Sequence, residues 1–104
     1  MTITRAKVEE AAFTIMQKAA IDIPDDYLGG IKRMSEREDG DLSAFVLKAM
    51  LDNYEAAKED RRPMCADTGL PRYYVKMGDK AQLDCFVGLD QGLRAATARA
   101  TTEV

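Results

Sequence analysis

The chain contains no histidine. That removes the commonest general base and the commonest zinc ligand, so any chemistry must use Cys, Asp, Glu, Lys, Arg, Tyr or Thr. Cysteine is nearly absent too: Cys65 and Cys85 are the only two. Two are too few for a disulfide framework, and in a cytoplasmic protein they stay reduced. No apolar run approaches the ~20 residues that a membrane helix needs. The start, Met1-Thr2-Ile3-Thr4-Arg5, has no apolar core of a secretory signal. Internal repeats and low-complexity tracts are missing. The basic residues are scattered through a chain of net charge -3, which leaves no electrostatic footprint for nucleic acid. These absences together point to a cytoplasmic protein with neither a membrane nor a nucleic-acid partner.

What remains has an ordinary globular balance, with 46% hydrophobic and 32% charged residues. A chain of 104 residues is read as a single domain over 1–104. Its periodicity predicts a helix over residues 5–21, with Val8, Ala11, Ala12, Ile15 and Ala19 on one face. Thr4 is placed to cap it, and Ile3 and Val8 to staple its entry. A second helix is expected around residues 25–37, weakened by Gly29 and Gly30. Glu38-Asp39-Gly40-Asp41 reads as a turn, with Asp41 as the cap of a third helix over 42–59. Leu42, Phe45, Val46, Ala49, Met50 and Ala57 form the expected buried stripe of that helix. Arg61-Arg62-Pro63 ends it, because a residue before proline avoids the α region.

A compact loop follows, and then a strand is expected over 70–77, rich in the β-formers Tyr73, Tyr74 and Val75. Pro71 suits a strand start or edge. Tyr73 and Tyr74 are read as core and strand surface, and the six methionines as packing. A last helix is expected over about 84–102. Leu89, Leu93, Ala96 and Ala100 share a face, and Gly88 and Gly92 weaken it. The fold class is therefore α+β, mainly helical, with about four helices and one short strand after the loop, as part of a larger fold. A lone strand cannot satisfy its own edges, so it should pair with another chain, another copy or a missing remainder.

The loop Arg61-Arg62-Pro63-Met64-Cys65-Ala66-Asp67-Thr68-Gly69 is the one segment that packing does not explain easily. It holds a cysteine beside a basic helix end, where a thiolate is favoured. A thiolate is also an iron–sulfur ligand. Asp67 and Thr68 add a carboxylate and a hydroxyl, and Gly69 permits a positive φ angle. The residues alone leave a bland reading open. A lone cysteine is often a small buried hydrophobe, and Asp-Thr-Gly is a common turn that also occurs in aspartic proteases. Arg61 and Arg62 equally suit a solvated helix C-terminus.

The stretch from Leu51 through Gly69, followed by Tyr73-Tyr74-Val75-Lys76-Met77-Gly78, resembles the alpha region of class I fumarases and L-tartrate dehydratases. There a helix ends in Arg-Pro, a Cys-Gln-Asp-Thr-Gly loop follows, and a strand comes next. The resemblance covers most of the chain after about Ile23. It implies a hydro-lyase that adds or removes water on a C4 dicarboxylate of the fumarate/malate or tartrate type. It also implies a 4Fe-4S cluster held by three cysteines, whose open iron serves as a Lewis acid. Carried over, Cys65 is one cluster thiolate. Asp67, Ala66 and Thr68 fall at substrate-binding positions, and Arg62, read from its residue type rather than carried over, is a further substrate-binding or ion-pair candidate. The resemblance further implies the remainder of the alpha region and a beta subunit or region as partners, in an oligomer.

The sequence departs from that pattern in three ways. Ala66 stands where the family has Gln. The family's second and third cluster cysteines have no counterpart, and Cys85 matches none and is read as structural. The catalytic threonine and lysine of the beta region are also absent. The chain alone is therefore expected to be catalytically incomplete. The alternative is a non-catalytic, shortened relative acting as a binding or regulatory module.

Overall fold

The computed structural model of the protein describes residues 1–67 and 69–104. The order of elements is β1 (Thr2–Ile3), α1 (Arg5–Ile21), α2 (Asp25–Arg37), α3 (Asp41–Asp60), β2 (Gln82–Leu83) and α4 (Phe86–Glu103). The mainly helical α+β class is thus what the fold shows. The chain packs as two compact units. One comprises residues 1–18 and 67–104, and the other residues 19–66.

In the first unit, β1 and β2 pair in parallel, with Thr2 opposite Gln82 and Ile3 opposite Leu83. Parallel neighbours need a long connection between them, and here each strand leads directly into a helix. Thr4 caps α1 as its position predicts, its Oγ1 accepting from the Lys7 N–H at 3.3 Å. Asp84 ties the two strand–helix turns together. Its N–H donates to the Ile3 carbonyl at 3.1 Å, and its Oδ2 accepts from the Arg5 N–H at 3.3 Å.

Helices α1 and α4 then pack side by side, running the same way. The small residues of α4 recur every fourth position, and Gly88, Gly92, Ala96 and Ala100 are all buried. Side chains four apart lie on one helix face, so these four form a smooth seam. At Gly92 the neighbour is so close that an added Cβ would lie 2.9 Å from Val8 Cγ1 and 3.1 Å from the Arg5 carbonyl oxygen. Gly92, expected only to weaken α4, therefore permits its packing. Ala12, Phe13, Ala96 and Ala100 make the core, with Met16, Tyr73, Leu93 and Val104 against it.

Arg99 closes the same seam. Its guanidinium stacks over the Phe13 ring at 3.8 Å and bonds to Glu10 at 2.8 Å and Glu103 at 3.2 Å. The bonds from Glu10 and then Glu103 hold its pKa above the ordinary arginine value. The face expected for α1 is off by one position. Phe13 is buried while Ile15 is 56% exposed, because α4 approaches along the line through Val8, Ala12 and Phe13.

In the second unit α2 packs against α3, and the buried apolar side chains are Ile21, Ile31 and Ala57. Helix α2 starts on Pro24 and carries Asp25 and Asp26 in its first turn and Arg37 in its last, matching the helix dipole at both ends. Gly40, not Asp41, is the N-cap of α3; Asp41 lies inside the first turn. The expected buried stripe on α3 holds only at Ala57. Leu42 is 77% and Phe45 70% exposed, because a two-helix unit has no third layer to cover that face.

The strand expected at 70–77 is not formed. Those residues are neither helix nor strand, and the short strand after the loop is Gln82–Leu83. Residues of high β propensity need a neighbouring strand to pair with, and none is supplied at 70–77. Packing by the methionines is also incomplete, since Met1, Met34 and Met77 are exposed.

Candidate functional site

The chain leaves α3 through a fixed geometry that places Cys65. Arg61 is the C-cap of α3, at φ 54° and ψ 45°, the one non-glycine described residue with positive φ. That conformation reverses the chain, and helices usually give it to glycine. Two N–H groups then converge on the Ala57 carbonyl, from Arg61 and from Arg62, the latter at 3.0 Å. Arg61 also reaches Asp22 at 3.3 Å.

Met64, immediately before the cysteine, is held on both sides of its peptide. Its N–H donates to the Ala20 carbonyl at 3.0 Å, and its carbonyl accepts from Asn53 Nδ2 at 2.7 Å. The backbone leading into Cys65 is therefore anchored to the ends of α1 and α3. Cys65 itself is exposed, as are Arg62 and Ala66. A buried, inert cysteine is thereby excluded at this position within the chain.

Arg62, Cys65 and Ala66 thus follow one another on this exit loop. Asp67 belongs to the other unit and is exposed there. Thr68 lies outside the described residues. Gly69 has φ +50°, the left-handed conformation that its lack of a Cβ makes cheap. Cys85 is the N-cap residue of α4, and it too is exposed.

A second feature escaped the sequence reading. In the first unit a groove of about 760 Å³ is lined by α1, α4, both strands and residues 72–78. Its lining is largely apolar, with Lys7, Arg72 and Lys76 as the charged members. The run Arg72-Tyr73-Tyr74-Val75-Lys76, β-formers between cations, was the available signal.

Comparison with known proteins gives the family. A model of fumarate hydratase (Fumerase) matches residues 9–104. The chain belongs to the fumarate hydratase (Fumerase) family. The match is to the N-terminal part of the family's alpha region. A provisionally named L(+)-tartrate dehydratase subunit alpha of Methanocaldococcus jannaschii is 26% identical over 98 residues, 94% of this chain and 34% of that protein. The L(+)-tartrate dehydratase subunit alpha of Escherichia coli K12 is 30% identical over 92 residues, 86% of this chain and 30% of that protein. The chain therefore spans about a third of the length of these Fumerase-family relatives. No solved structure matches it. No helix among the described residues is long and apolar enough to cross a membrane.

Proposed function

We propose that this chain is part of a hydro-lyase that reversibly adds or removes water on a C4 dicarboxylate, and that Cys65 supplies one thiolate of its 4Fe-4S cluster. The observation that carries the reading is the exposed Cys65 at the end of a backbone pinned at Ala57, Ala20 and Asn53, in a member of this family. An exposed soft thiolate on a fixed loop is a competent iron ligand.

The chain does not fit the whole cluster. It has two cysteines. Among the described residues no three His, Cys, Asp or Glu side chains gather as a metal site. The other thiolates come from the remainder of the alpha region, as further sequence or as another chain. A beta subunit or region completes the enzyme, as the name "subunit alpha" of the relatives supports. In this assembly, a cytoplasmic oligomer, residues 1–104 form one N-terminal domain.

Arg62, Asp67 and Thr68 contribute to holding the dicarboxylate: Arg62 by pairing with a carboxylate, and Asp67 and Thr68 by hydrogen bonds to the substrate hydroxyl and the loop. Ala66 cannot make the amide contact that Gln would make, which shifts substrate preference. The second reading, a binding or regulatory relative without chemistry, is favoured by that same alanine and by the two-cysteine donor set.

The purified chain is expected to show no turnover of fumarate, malate or tartrate. Activity should appear when the companion polypeptides are added under anaerobic conditions. Turnover retained by the chain after repurification overturns the incompleteness. A fully assembled complex that holds iron yet acts on none of the three acids favours the regulatory reading.

A further inference from the structure

We propose that residues 72–77 receive an added β-strand from a companion polypeptide, one whose side chains alternate between apolar groups and carboxylates. The backbone gives the first reason. The segment Arg72-Tyr73-Tyr74-Val75-Lys76-Met77 has the strand formers Tyr73, Tyr74 and Val75 at its centre, and every one of its φ angles is negative. It nevertheless forms no strand. Among the described residues, none of its N–H or C=O groups bonds within the chain. Tyr74 is 90% exposed, and Val75 is exposed beside it. A row of unpaired backbone groups is a template for another strand.

The groove gives the second. The same residues line the 760 Å³ groove, together with apolar Ile3, Val8, Ala11, Ile15 and Leu89. A strand presents every second side chain to one face, so apolar groups at alternate positions would fill it. This volume far exceeds what a C4 dicarboxylate occupies, and its lining is wrong for so polar a molecule.

Charge gives the third and selects the partner. Lys7, Arg72 and Lys76 all line the groove, and no carboxylate does. None of the three makes an ion pair among the described residues. This occurs in a chain whose acids outnumber its bases, 18 to 15. Long cationic side chains extend past an apolar floor to its edge, where they would meet carboxylates on the outer face of the incoming strand. A second copy of this chain would bring the same cations to face these, which is repulsive.

The inference rests on the reading above only for the owner of the strand, the companion polypeptide. It is tested with the full chain and a probe peptide, acetyl-Val-Glu-Val-Glu-Val-Glu-amide, against its counterpart with Lys for every Glu. Amide hydrogen exchange is followed across residues 72–77. At ten times its dissociation constant the Glu peptide should slow exchange roughly tenfold, at alternate residues of the segment because a strand pairs through every second residue. The Lys peptide should not. In the double variant Arg72→Glu, Lys76→Glu, with its helix content confirmed by circular dichroism, the preference should reverse.

Equal protection by both peptides overturns the proposal. So does the absence of saturable binding by the Glu peptide up to roughly 1 mM. Protection that grows with the concentration of the chain alone also overturns it, in favour of self-pairing. Iron takes no part in these measurements, so their failure leaves Cys65 as a ligand standing. Equally, loss of the cluster reading leaves the groove result intact.

Discussion

At the scale of single residues, the sequence set the loop apart but did not show its support. Cys65, Asp67 and the Arg-Pro stop are legible because their types and order are unusual. The anchoring by Asn53 and Ala20 is not, because it joins residues distant in the chain through one side chain and one carbonyl. Tyr73 was legible as core, but its polar partners were not. Its hydroxyl sits 2.6 Å from Met16 Sδ and 2.9 Å from Thr97 Oγ1. Tyr73→Phe keeps the ring and loses both contacts, so it should cost about 0.5–1.5 kcal/mol of stability. Urea unfolding checks this. An unchanged midpoint would mean that the hydroxyl is satisfied equally well by water.

At the scale of elements, the four helices follow from apolar periodicity and stop signals, with ends displaced by a residue or two. The faces were harder to read. The seam of α4 is written as small residues at positions 88, 92, 96 and 100, and a search for apolar side chains passes over the two glycines. Two glycines on that seam should respond in opposite ways. At Gly88 an added Cβ finds its nearest neighbour at 3.4 Å. Gly88→Ala should therefore gain up to about 1 kcal/mol from helix propensity. At Gly92 the same gain meets a contact at 2.9 Å with Val8 and one at 3.1 Å with backbone. Overpacking of this kind costs about 1–3 kcal/mol, so Gly92→Ala should be net destabilising. Val8→Ala in the same chain should recover part of that loss. Thermal unfolding of the three variants decides the matter. A stabilised Gly92→Ala would show that α1 and α4 are not closely packed.

At the scale of the whole molecule, what could not be read is what this chain lacks a partner for. The β-formers at 73–75 and the apolar stripe of α3 both predict burial, and apart from Tyr73 and Ala57 both stay largely exposed. On the proposed function, sequence patterning records the environment of the assembled protein, of which these 104 residues are one part. The chain spans about a third of its relatives, and on the proposal above the remainder covers such faces and supplies the other cluster ligands. The central claim is that Cys65 is that ligand. Its most direct test is the iron content and visible absorbance of the anaerobically assembled complex, measured for wild type, Cys65→Ser and Cys85→Ser. A hydroxyl is a poor substitute for a thiolate on iron. Cys65→Ser should therefore lose the iron and the absorbance while its helical circular dichroism persists, and Cys85→Ser should match wild type. If Cys65→Ser retains its iron, or if Cys85→Ser is the variant that loses it, the loop is not the cluster site.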